Sequence, residues 1–313
     1  MSFEIQVSPV LDFQKLRLID AENGSSVEIV TKGALLNSWQ VLNGTKRIQL
    51  IEGNDFNHGW EAYASNGFKS AKMAPFACRM ENGQYQHHDK TWTIKKYYLG
   101  KHAIHGIVYD AMYSIQSTQA DAQGAVVVLK HHYHGDDKGY PFDFSLQIKW
   151  QLHPNNQLTV ETIITNHGEE VIPMMDGWHP YFTLGTSINE CCLSFQHKGK
   201  IEFNESLLPT GVLLEDPTFD QPTKLNTIEL DNCFVLDPNH QECTLENEQL
   251  KLVVQAGLNY PYLQLYTPPH RKSIAIENLS GAPNCFNNKM GLQLLKPHES
   301  LVFKTSYQFS LKS

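Results

Sequence analysis

Apolar and polar side chains alternate with a period of two along much of the chain, the spacing that puts successive residues on opposite faces of a strand. Over 144–152, Phe144, Leu146, Ile148, Trp150 and Leu152 interleave with Ser145, Gln147, Lys149 and Gln151, as a half-buried strand requires. The turn-forming run His153-Pro154-Asn155-Asn156-Gln157 follows, and 158–166 alternates again with Thr, Val and Ile, so the two runs read as an antiparallel hairpin. Shorter strand-like runs occupy 27–31, 92–96, 125–131, 250–255, 262–267, 273–277 and 301–311, with turn residues between them. No amphipathic helix of ordinary length stands out, and strands do not alternate with helices as they would in a parallel sheet. The pattern predicts an all-β protein, a large antiparallel β-sandwich with a concave binding face. No Gly/Ser-rich linker or composition shift divides it, so one domain is expected over 1–313, with loops and short strands filling 185–230.

Composition narrows the function. Hydrophobic residues make up 41% and charged residues 19%, enough apolar matter for a core and far from a disordered composition. A formal net charge of -8 without a basic stripe argues against nucleic acid as a partner. Residues 1–11 mix Glu4, Gln6 and Pro9 among apolar residues, unlike a signal peptide, and no run is long enough to span a bilayer. Cys78, Cys191, Cys192, Cys233, Cys243 and Cys285 lack C-x-x-C spacing, which predicts reduced, buried thiols in a cytoplasmic protein.

Four clusters place titratable side chains in apolar or Gly/Pro-rich surroundings: Phe76-Ala77-Cys78-Arg79-Met80-Glu81-Asn82-Gly83, His102-Ala103-Ile104-His105-Gly106, Asp176-Gly177-Trp178-His179-Pro180-Tyr181-Phe182 and Ile274-Ala275-Ile276-Glu277-Asn278. Strand alternation in the last points Glu277 away from the face carrying Ile274 and Ile276. Each has a bland reading as well. Glu277 alone reads as a solvated strand-end carboxylate, His179 and His105 as hydrogen-bonded core histidines, Arg79 as a partner of Glu81, and Asp231 as a turn residue. Trp178, Tyr262 and Tyr266 read equally as core aromatics or as platforms for a ligand. His132 and His134 share a strand face as metal ligands can, but no acidic or His partner follows at a persuasive spacing, so no metal is expected there. His87-His88-Asp89 reads as a turn.

In order and spacing these clusters, with Leu230-Asp231-Asn232, the 262–267 run around Gln264, and Gly281-Ala282-Pro283-Asn284, resemble the aldose 1-epimerase (galactose mutarotase) family from about Gly33 to the carboxyl terminus. The resemblance implies a twisted β-sandwich with an open sugar-binding cleft and no cofactor. It also implies Glu277 as general base, His179 as general acid, and Arg79, His105 and Asp231 as sugar-binding groups, with Trp178, Tyr262 and Gln264 as further candidates. The substrate would be a free aldose such as glucose or galactose, and the protein a monomer or homodimer. One departure is Cys78 where relatives often carry Asn before the Arg, which removes a polar contact at the cleft edge. The absence of an Arg after His105-Gly106 argues against a hexose 6-phosphate, although Lys69, Lys72 and Arg271 are cations that could approach the cleft. The remaining alternatives are a sugar-binding protein of the same fold without turnover and a metal-dependent sugar isomerase of cupin type using the His-rich strand.

Overall fold

The computed structural model describes residues 3–56, 59, 60, 63 and 66–312. Met1, Ser2 and Ser313, the ends of the expected single domain, lie outside them. The fold is nearly all-β, and its one α-helix among the described residues is the four-residue Cys285–Asn288.

Two large antiparallel sheets form the sandwich. One has nine strands in the order Ser114–Asp121, Gly124–His134, Asp143–His153, Gln157–Asn166, Ser300–Leu311, Leu250–Ala256, Glu242–Glu246, Cys192–Phe195 and Thr223–Lys224. The other runs Pro209–Leu214, His197–Phe203, Asp231–Leu236, Tyr262–Tyr266, Ile274–Leu279, Gly177–Trp178 and Lys72–Met73, with Tyr181–Phe182 also paired to Ile274–Leu279. Their inner faces meet through the Trp150 and Trp178 rings at 5.3 Å, Phe182 and Tyr307 at 5.4 Å, and Phe195 and Phe234 at 4.9 Å. A five-stranded meander, from Phe3–Val10 to Lys46–Gln49, packs beside them, and Trp150 Nε1 donates to Ala34 O across the join. Most buried apolar side chains form one contiguous cluster from Phe3 to Phe309, with Ile201, Cys233 and Ala282 in a small second one.

The expected hairpin is Asp143–His153 with Gln157–Asn166, in register from Phe144↔Asn166 to Leu152↔Leu158. Phe144, Leu146, Ile148, Trp150 and Leu152 are all buried. Asn155 and Asn156 take φ of 61° and 57°, the left-handed values that asparagine tolerates in tight turns. His88 and Asp89 also turn at positive φ, between Gln84–His87 and Lys90–Thr93. That second strand ends earlier than the alternation over 92–96 suggests, because the amides of Lys95 and Lys96 turn to the Asp137 carboxylate instead of a neighbouring strand. The run 185–230 does hold short strands and loops. All six cysteines are free and, apart from the half-buried Cys192, buried. Among the described residues no helix is long and apolar enough to cross a membrane.

Candidate active site

Three neighbouring strands of the eight-stranded sheet build the floor of a cleft of about 380 Å³. Their register pairs Glu277 with Gln264 and Gln264 with Cys233, and one pleat along, Ala275 with Tyr266 and Tyr266 with Asp231. Directly opposed residues and their i+2 neighbours share a face, so Glu277, Gln264, Tyr266 and Asp231 all look into the cleft while Ile274, Ile276, Leu263 and Leu265 fill the core. Both faces of Ile274–Leu279 are covered, and Glu277 is only 1% exposed. It is therefore not the solvated carboxylate that a strand end ordinarily carries.

His179 reaches the same place from the other edge. Gly177 pairs with Leu279 and Tyr181 with Ala275, which sets His179 opposite Glu277, and its amide and carbonyl are tied to Ala71 and Ser70. The result is a His179 Nε2 to Glu277 Oε1 contact of 3.3 Å. The Tyr181 ring stacks on the imidazole at 5.0 Å, and the His105 ring meets it edge-on at 4.9 Å. Arg79 and His105 come from a small sheet in which Arg79 pairs with Ile104 and His105 N donates to Cys78 O. The chain can pass from His105 to Ile107 because Gly106 has φ +79° and lies against Ala74, where a Cβ would stand 2.2 Å from the carbonyl oxygen. Gly106→Ala is expected to lose about 1–3 kcal/mol of stability, read as a lower urea midpoint, because both the backbone and Ala74 must yield.

Burial, with Asp231 as a like-charged neighbour, pushes the Glu277 carboxyl well above the ordinary carboxylate range. Burial pulls the His179 imidazole down to about 4 and that of His105 well below its ordinary value. Asp231 is also raised by burial, against the pull of Arg79 and of the 2.8 Å hydrogen bond from Gln264 Nε2. Both shifts in the His179–Glu277 pair run against a preformed imidazolium and carboxylate. Both directions favour the uncharged forms, a neutral imidazole beside a protonated carboxyl. Glu277 Oε2, His179 Nδ1, His105 Nδ1 and Gln264 Oε1 are buried without a hydrogen-bond partner among the described residues. Unpaired buried polar atoms converging on one cleft are suited to a ligand rich in hydroxyls.

Two aromatic candidates do not line this cleft. Trp178, one residue before His179, points to the opposite side, where its ring packs on Trp150 and lies under Lys72 Nζ at 4.7 Å. Tyr262 shares the face of Gln264 and Tyr266 but lies farther along the strand, against Ile201, Cys233 and Ala282. Tyr266 does line the cleft, as does Tyr181 of the third cluster; Phe68, Leu99, Phe203 and Leu207 line it too, but they carry no signal beyond apolar character and were not expected from the sequence. Cys78 stands at the cleft wall, as the departure before Arg79 implies.

The three other cations considered for the cleft are held elsewhere. Lys69 pairs with Glu52 at 2.8 Å, Lys72 with Asp176, and Arg271 donates to Asn189, Ile228 O and Asn226 O. Among the described residues, Arg79 is the one Lys or Arg lining the cleft. For metal, the sole convergent group of His, Cys, Asp and Glu among the described residues is His132, His134 and Asp143. Sequence spacing hid this partner because Asp143 comes from the adjacent strand, in register with His134. Its Oδ1 lies 2.5 Å from His132 Nε2, a hydrogen-bond distance shorter than the ~3 Å between two donors that share a zinc ion.

The fold is that of the galactose mutarotase-like sandwiches. A galactose mutarotase-like protein from Clostridium acetobutylicum superposes with a TM-score of 0.86 at 17% identity over 99% of both chains, and galactose 1-epimerase from Lactobacillus acidophilus with 0.83 at 19% over 99% of both. The family model described as aldose 1-epimerase matches residues 15–308, and the chain belongs to that family. In sequence it is 27% identical to the uncharacterized protein YihR of Escherichia coli over 72% of this chain and 75% of that one. It is 25% identical to the bifunctional protein gal10 of Schizosaccharomyces pombe over 91% of this chain, but only 44% of that protein.

Proposed function

We propose that the protein is an aldose 1-epimerase that interconverts the α and β anomers of a free, unphosphorylated aldose, with Glu277 and His179 as the acid–base pair. The observation that carries this reading is their 3.3 Å contact in a buried cleft. Anomerisation removes a proton from the anomeric hydroxyl and delivers one to the ring oxygen, so that the ring opens to an aldehyde, rotates and closes on its other face. Those two oxygens sit on one carbon, and two adjacent proton carriers match them.

The pair needs one proton in total, which its shifts supply. Moving that proton from Glu277 across the contact to His179 leaves a carboxylate to take the O1 proton and an imidazolium to protonate the ring oxygen, with no change in overall charge. A sugar's hydroxyls, lodged against the unpartnered Glu277 Oε2 and His179 Nδ1, favour this charge-separated form. Arg79 and His105 donate to the oxygen that gains negative charge, while Asp231, steadied by Gln264, accepts from a ring hydroxyl. Arg79, the one Lys or Arg of the cleft among the described residues, is a thin provision for a dianion, which supports an unphosphorylated substrate.

Polarimetry of freshly dissolved α-glucose, α-galactose and other aldoses tests the proposal, which fails if no sugar mutarotates faster than buffer alone. The pH dependence is a sharper check. Protonating His179 as well as Glu277 removes the base, so kcat/KM should rise through about 4. Removing the pair's single proton takes away the acid, so the alkaline limb lies above the ordinary carboxylate range. An acid limb near the free-histidine value of about 6.5 would contradict the arrangement.

A further inference from the structure

The outer face of the nine-stranded sheet gathers imidazoles at one corner. Phe144, Leu146 and Trp150 point inward to the other sheet, so Asp143 and Ser145, alternate residues of the same strand, point outward on the side away from the acid–base cleft. The register sets His134 beside Asp143 and His132 beside Ser145, and His167 N donates to Asp143 O from the end of the next strand. Three histidines thus surround one carboxylate. The His132 ring lies 4.0 Å from that of His134, nearly parallel to it, and 4.8 Å from that of His167. Asp143 turns Oδ1 to His132 Nε2 at 2.5 Å and Oδ2 toward His134 Nδ1 at 3.9 Å.

The frame beneath these side chains is fixed. Tyr133, between the two histidines, is buried, donates its hydroxyl to Tyr140 O at 3.0 Å and accepts from Asp137 N at 2.7 Å, which pins the connection from His134 to Asp143. His167 Nε2 meets Ser145 Oγ at 2.7 Å and is held there against His132. Burial, and then His132, pull the His167 imidazole below its ordinary value, so it adds no charge that would repel a cation near neutral pH.

We propose that His132, His134 and Asp143 bind one divalent transition-metal ion of the zinc or nickel type, tying two neighbouring strands together on the side of the sandwich opposite the cleft. The site is independent of the proposed sugar chemistry. Imidazoles with a carboxylate suit such ions, whereas Mg²⁺ and Ca²⁺ require a shell of oxygens. The ion replaces the proton that His132 and Asp143 share: the neutral imidazole carries its N–H on Nδ1 and gives its Nε2 lone pair to the metal, beside an Asp143 oxygen and His134 Nδ1. These three ligand groups already lie within 4.8 Å of one another. Both histidines are exposed, so small rotations of their rings bring the donors to the ~3 Å spacing that a shared ion imposes, and water completes the shell.

Calorimetric titration of the full chain, prepared without a histidine tag, tests the site. Ni²⁺ is the principal probe because the six thiols favour softer ions. One Ni²⁺ per chain should bind in the micromolar range, and Mg²⁺ should not compete. His132→Ala and Asp143→Asn should each weaken Ni²⁺ binding about tenfold or more, whereas His153→Ala, at the far end of the Asp143 strand, should leave it within about twofold. Binding of Ni²⁺ no tighter than about 1 mM, or tight binding that survives both His132→Ala and Asp143→Asn, would overturn the site.

Discussion

Glu277→Gln should abolish most turnover while leaving sugar binding and folding in place. Glutamine keeps the shape of the side chain and can still hydrogen-bond in the cleft, but it cannot take a proton from the anomeric hydroxyl. General acid–base groups contribute about 10²–10⁴-fold, so a fall in kcat of that size is expected, with KM changed by no more than about threefold. A group that only binds sugar would give the opposite split, a raised KM with kcat held. Because the carboxyl is buried and its ionisation opposed, an amide there adds no desolvation cost, and the melting temperature should hold or rise. Polarimetry on the variant, with a sugar-induced melting shift to show binding, separates these outcomes. Turnover above about a tenth of wild type would remove Glu277 from the proton-transfer role.

The largest stability effect is expected behind the cleft. Lys72 and Asp176 are fully buried and paired, and Tyr260 donates to the other oxygen of Asp176 at 2.5 Å. Burial pulls the Lys72 ammonium down and pushes the Asp176 carboxyl up, and their mutual attraction opposes both shifts. Removing one partner strands the other in the core, so Lys72→Met or Asp176→Leu alone should cost about 3–5 kcal/mol. The double variant removes both charges, leaves the Tyr260 hydroxyl without its acceptor and Gly177 O without the Lys72 bond, and should recover much of that loss. Thermal or urea melts of the three variants check the ordering. Single variants that are no worse than the double would show that the pair contributes little. Asp176 also exchanges backbone and side-chain bonds with Ser280, just past the strand of Glu277, and Gly177 follows it toward His179. The pair thus braces both segments that carry the proposed chemistry.

Period-two alternation made the longest strands legible, because a sheet with one dry face writes its burial directly into the sequence. The 144–166 hairpin is the clearest case. The same rule, taken one residue further, separates His179 from Trp178: neighbours on an extended chain face opposite ways, so both could not line one cleft. Convergence across strands was not legible. Glu277, Gln264 and Asp231 lie up to 46 residues apart in sequence, and only their register makes them neighbours. Asp143 beside His132 and His134 was hidden for the same reason. Nor could the sequence reveal that burial opposes the charge on both Glu277 and His179, which depends on how completely each is enclosed.

Glu277, Gln264 and Asp231 stand on hydrogen-bonded strands, whereas Phe68, Leu207 and Pro283 approach the cleft from loops and turns. Insertions and substitutions in loops are tolerated far better than changes within a paired strand. Heritable variation can therefore redraw the cleft's outer contacts while the geometry of the proposed proton-transfer pair is inherited unchanged. Descendants of such a chain would diverge in which sugar they accept long before they diverge in the reaction they perform.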